Sequence, residues 1–87
     1  MFGGETVPVT LVADESVMSA IIDRFGKDVE VTPVDDAHAR VWTTVTASPT
    51  FFGWLAQFGR AVRIEKPTSL ARQYTEFLQD IVEGYAS

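Results

Sequence analysis

The chain has 87 residues, no cysteine, and 12 acidic against 7 basic side chains, for a formal net charge of -5. That length holds one domain with a modest core. The missing cysteines exclude disulfides, thiolate catalysis and iron–sulfur ligation, and the acidic balance argues against a surface that grips nucleic-acid phosphates unaided.

No apolar run approaches the roughly 20 residues needed to cross a bilayer. Met1-Phe2-Gly3-Gly4-Glu5 lacks the basic start and apolar core of a secretory signal. A cytoplasmic location is therefore expected. Residues Thr6 to Ala13 then alternate, with Val7, Val9 and Leu11 on one side and Pro8, Thr10 and Val12 on the other, the period of a strand with one buried face. Pro8 has no N–H to give a ladder, so it should lie at the strand's start or on a free edge. Asp14 is placed to cap a helix, with Glu15 in its first turn. Val17, Met18, Ile21, Ile22 and Phe25 form that helix's apolar stripe, and Gly26 is suited to ending it.

Val29 and Val31 lead a second strand that breaks near Pro33, and Asp35-Asp36-Ala37-His38 has the composition of a turn. From Arg40 to Ala47 the pattern alternates again: Val41, Thr43, Val45 and Ala47 share one face, and Trp42, Thr44 and Thr46 the other. The two strands should form a hairpin. Ser48-Pro49 predicts a helix start, a hydroxyl cap followed by proline at the first helical position. Phe51, Phe52, Leu55 and Phe58 follow as its stripe, and Gly59 marks the stop. Arg60 to Lys66 reads as a fourth strand. Pro67-Thr68 then opens a long helix in which Leu70, Tyr74, Phe77, Leu78, Ile81, Val82 and Tyr85 repeat at steps of three and four.

The order strand–helix–strand–strand–helix–strand–helix predicts an α+β domain over residues 6–87. Its first six elements form a ferredoxin-like split βαβ unit (βαββαβ), and the additional C-terminal helix follows. A four-stranded antiparallel sheet covered by helices on one face is the arrangement expected.

The chemical inventory points to binding, not catalysis. His38 sits in the predicted turn beside carboxylates alone, too few ligand types for a metal centre. Ser16, Ser19, Ser48 and Ser69 are all explained by helix starts or helix surfaces, with no reason for the one histidine to lie beside any of them. No glycine-rich phosphate loop is present, and no cofactor is expected. Trp42, the one aromatic on a predicted strand, is better suited to an interface than to stacking on RNA. Arg60, Arg63, Lys66 and Arg72 cluster late in the chain. They are either ordinary solvated charges or a small patch facing an anion or phosphate.

The run F-F-G-W-L-A-Q-F-G-R-A-V-R-I-E-K-P-T-S-L-A-R-Q-Y, closing at Tyr85, resembles the C-terminal extension that follows the WYL domain in bacterial transcriptional regulators. The resemblance is carried by Trp54, Leu55, Phe58, Gly59, Val62, Ile64, Pro67, Leu70, Arg72 and Tyr85. The upstream order of V-T-L-V-A-D, the I-I-D-R-F-G helix and a hairpin extends it over nearly the whole chain. It implies a three-module protein: an N-terminal winged helix–turn–helix that reads DNA, a middle WYL domain that senses a nucleic-acid or small-molecule effector, and this extension, which pairs with a second copy and transmits the signal. Residues 1–5 would then be the end of an interdomain linker. Within that frame Arg72, Arg63, Arg60 and Lys66 are the candidates to face an effector or phosphate, and Trp42, Tyr74 and Tyr85 the candidates for an interface. Neither direct sequence-specific DNA contact by this domain nor membrane contact is implied. The alternative from another class is a free-standing ferredoxin-like sensor of small molecules, which would need an enclosed apolar pocket.

Overall fold

The structure, a computed structural model, describes residues 6–26 and 29–86. The expectation about a linker falls on residues 1–5 and lies outside them. The elements are β1 (Thr6–Asp14), a short 3-10 turn (Glu15–Val17), α1 (Met18–Phe25), β2 (Glu30–Pro33), β3 (His38–Thr46), α2 (Pro49–Ala56), a second 3-10 turn (Gly59–Ala61), β4 (Val62–Lys66) and α3 (Thr68–Ala86). The four strands form one antiparallel sheet in the order β2-β3-β1-β4. This is the split βαβ arrangement with an added helix, as the element order predicts.

The registers explain the two faces. Ile64, Leu11, Val41 and Val31 are successive partners across the sheet, as are Val62, Ala13, Ala39 and Pro33. Of these, Leu11, Ala13, Ala39, Val41, Val62 and Ile64 are buried. They join Ile21 of α1, Phe51, Phe52 and Leu55 of α2, and Leu70 of α3 in one core, so the helices cover a single face of the sheet. The opposite face carries the alternate rows Arg63–Val12–Arg40–Thr32 and Lys66–Thr10–Trp42–Glu30. Nothing in the chain's described residues lies over it.

Pro8 fits through an asymmetry of β1. β3 pairs β1 from Thr6 to Asp14, whereas β4 pairs it only from Thr10 to Ala13. Pro8 therefore occupies the stretch with a partner on one side, where a missing donor costs no ladder bond.

Three of the boundaries that differ from the sequence reading are explained by their backbone hydrogen bonds, one of them tertiary and two local. Asp14 makes no side-chain cap. It continues β1 opposite His38, and the Glu15 N–H donates to the Ala37 carbonyl at 2.8 Å, so the ladder runs on where a helix start was expected. The fourth strand begins at Val62 rather than Arg60, because the Ala61 N–H bonds back to the Phe58 carbonyl at 2.9 Å and closes a 3-10 turn. Thr68 is the first helical residue, not the cap. The Pro67 carbonyl takes the first bonds, from Leu70 and Ala71 N–H.

Other local signals hold. Ser48 Oγ accepts from the Phe51 N–H at 3.3 Å ahead of Pro49. Asp35 Oδ1 accepts from the Ala37 N–H at 2.7 Å, the turn geometry that aspartate favours. Gly26 follows α1 at φ 67° and ψ -143°, a conformation closed to side chains bearing a Cβ.

Candidate functional site

Gly59 turns the chain at φ 55°, which lets the second 3-10 turn reverse α2 into β4. Val62 and Ile64 then point into the core while Arg63 points away from it. Among the described residues β4 is an edge strand, flanked by β1 on one side and by no strand on the other. Its open side is instead bordered by α3, which folds back immediately after Pro67. Between them runs an open groove of about 640 Å³, lined by Gly59, Arg60, Val62, Arg63, Ile64, Ala71, Tyr74 and Thr75.

The groove walls are set by packing. Tyr74 leans on Phe52 with ring centroids 5.5 Å apart, and its burial pushes the phenol above its ordinary range. Thr75 Oγ1 donates to the Ala71 carbonyl at 3.0 Å, turning the hydroxyl onto its own helix. Arg60 and Arg63 supply the groove's charge. Among the described residues no carboxylate lies within ion-pair distance of either. Glu65, two residues from Arg63, is held elsewhere by Arg40, whose Nε and Nη2 donate to its two carboxylate oxygens at 2.8 and 3.0 Å.

Of the four cationic candidates, the fold brings Arg60 and Arg63 together in the groove and separates the other two. Arg72 is exposed on α3 and is not among the lining residues. Lys66 lies on the uncovered sheet face, in a depression shared with Thr10, Arg40, Trp42 and Glu65. A bulge between Thr10 and Leu11 sets Lys66 there: strict alternation from Val62 and Ile64 would have turned it inward, and the register shift places it opposite Thr10.

The interface candidates occupy three surfaces. Trp42 stands on the uncovered face at 37% exposure. Tyr74 is a wall of the groove, anchored to Phe52. Tyr85 is 90% exposed near the end of α3. The sequence reading treated the apolar residues of α3 as one stripe, and the structure separates two. Leu70, Tyr74 and Phe77 pack on the body. Leu78, Val82 and Tyr85 form a second line at steps of four and three, the spacing of a coiled-coil seam. Val82 at 56% and neighbouring Ile81 at 46% are strongly exposed for aliphatic side chains. That spacing is legible in the sequence, but which line faces the core is decided only by packing.

His38 is far from this chemistry. Its Nδ1 lies 2.9 Å from Asp35 Oδ1, a pair confined to the β2–β3 turn.

The family model of the WCX domain matches residues 5–82. The chain belongs to the WCX domain family. WCX domains are the C-terminal extensions of WYL-domain regulators, which is the family that the tryptophan–leucine, phenylalanine–glycine and proline punctuation resembles. Among curated proteins no match is found. The WCX match takes in the whole sheet, α1, α2, the groove and most of α3, and Tyr85 falls just past it. Among the described residues no helix is long and apolar enough to cross a membrane.

Proposed function

We propose that this WCX domain is the regulatory and pairing module of a cytoplasmic DNA-binding transcriptional regulator. It follows a winged helix and a WYL domain, transmits effector binding from the WYL domain, and binds without catalysing a reaction. One observation carries the pairing: the outward seam of α3, where Leu78, Val82 and Tyr85 continue an apolar line past the last residue that packs on the body. An exposed heptad-spaced line on a helix is a surface built for a second helix.

The anion-facing role proposed for Arg60, Arg63, Lys66 and Arg72 is supported most directly at Arg60 and Arg63, which share one groove. The sensor alternative finds less support, because the groove is open rather than enclosed.

Sedimentation equilibrium tests the pairing. The wild-type domain should dimerise, and Val82→Glu, at a site exposed enough to keep the fold, should make it monomeric. A wild-type domain that stays monomeric at millimolar concentration would refute the pairing role. In the full-length regulator Arg72→Ala should impair the effector response more than the melting temperature, and equal losses would mark Arg72 as structural.

A further inference from the structure

Among the described residues no strand pairs with the outer side of β4, and an edge strand's outward N–H and C=O groups are a template for a further strand. Proteins blunt such edges by covering them. Here α3 borders the edge but stops short of filling it, leaving the groove of about 640 Å³. On the helix side the gap is lined by Ala71, Tyr74 and Thr75. The outer flanks of Val62 and Ile64, with Ala71 and Tyr74, give the gap apolar walls, and Arg60 and Arg63 stand at its rim with no carboxylate in ion-pair range among the described residues. In a chain of net charge -5, this is a cationic rim on an apolar slot beside an open strand edge.

We propose that the groove between β4 and α3 receives an extended acidic peptide segment, which adds to the free edge of β4 as a fifth strand. Strand addition between a sheet edge and a helix uses main-chain hydrogen bonds for affinity and alternate side chains for selection. Side chains of an extended segment alternate between two faces. A segment alternating glutamate or aspartate with valine or isoleucine would turn its carboxylates to the guanidiniums and its aliphatic groups to Ala71 and Tyr74. Arginine suits the first contact, because its planar fork holds a carboxylate through two donors. A nucleic-acid strand satisfies only the charge. It offers nothing to the strand edge, and the one aromatic ring in the groove is already packed on Phe52. The inference rests on the proposed function only in treating the groove as a contact surface, and it does not require pairing.

The test is fluorescence anisotropy with a labelled octapeptide of alternating valine and glutamate, titrated at low salt with the whole domain. Saturable binding is expected, weakened tenfold or more by Arg60→Gln with Arg63→Gln. Ala71→Leu should abolish it with both arginines intact, because the added side chain fills the slot. The matching valine–lysine peptide should not bind, nor should the valine–glutamate peptide N-methylated at alternate amides, which cannot form the ladder. Circular dichroism melts establish that each variant is folded. The Val82→Glu domain should bind as the wild type does, so a failure of pairing and a failure of the groove are read separately. Three results would overturn the proposal: no binding at millimolar domain, undiminished binding of the N-methylated peptide, or equal binding of a single-stranded oligonucleotide with the same arginine dependence.

Discussion

The ring of Phe52 in α2 meets the ring of Phe77 in α3 at a centroid distance of 5.4 Å, and this contact fastens the C-terminal helix to the domain. Tyr74 adds a second ring to the same partner at 5.5 Å. With Leu70 the one buried residue of α3, these tilted ring pairs are its main hold beyond the first turn. Phe52→Ala removes both at once. It should destabilise the domain by about 3–5 kcal/mol in urea melts, the range for emptying a buried aromatic site. Hydrogen exchange should also quicken more in α3 from Tyr74 onward than in β1 and β3. Uniform quickening across all elements would mean that α3 is not separately anchored.

Two glycines should respond in opposite directions, although a Cβ at either would meet nothing within 4 Å. Gly53 lies inside α2 with ordinary helical backbone, so Gly53→Ala gains helix propensity and should raise stability by about 0.5–1 kcal/mol. Gly26 is held at φ 67° and ψ -143°, outside even the left-handed region that asparagine tolerates. Gly26→Ala should lower stability by about 1–3 kcal/mol, and Gly26→Asn should not rescue it. Thermal melts of the three variants against wild type decide the point. A neutral Gly26→Ala would show that the turn relaxes to another conformation.

The helix start at Ser48 and Pro49 offers a narrower test. Ser48 Oγ satisfies the Phe51 N–H, one of the donors with no partner inside the helix. Ser48→Ala should therefore cost about 1 kcal/mol, and Ser48→Asp should restore most of it. A chemical melt resolves a difference of that size. An alanine variant as stable as wild type would mean that packing of Phe51 and Phe52 alone holds the start of α2.

The strands and their faces were legible because alternation is a local property. Val41, Thr43 and Val45 declare their side whether or not β1 is known. The cationic site was legible only by half. That Arg60 and Arg63 converge follows from the turn at Gly59, a signal present in the sequence. That Lys66 lies on the uncovered sheet face follows from a bulge in the pairing of β1 with β4, and no alternation pattern records it. Arg72 follows Ala71 by one helical step, which carries it around α3 away from the groove. The Arg40–Glu65 pair joins residues 25 positions apart on β3 and β4, across the intervening β1, so only the register reveals it.

The pairing of His38 with Asp35 fixes a pH dependence. Hydrogen bonding to the carboxylate, aided by its charge and that of Asp14, raises the His38 imidazole above its ordinary 6.5. The Ala37 N–H first, and then His38, lower the Asp35 carboxyl below its ordinary 3.8. A raised histidine contributes stability that is complete below pH 6.5 and lost as pH rises through the folded value. A lowered aspartate contributes stability present above pH 3.8 and lost as pH falls through the folded value. The pair thus holds the β2–β3 turn over the acidic range between those limits and lets go towards neutrality, and full solvent exposure keeps the effect small. An NMR titration of the one histidine should give a midpoint above 6.5 in the wild type, moving down towards 6.5 in Asp35→Asn. A wild-type midpoint at or below 6.5 would show that the ion pair does not persist in solution, leaving the turn to its backbone bonds, from the Ala37 N–H to Asp35 Oδ1 and from the Val34 and Asp35 N–H groups to the His38 carbonyl.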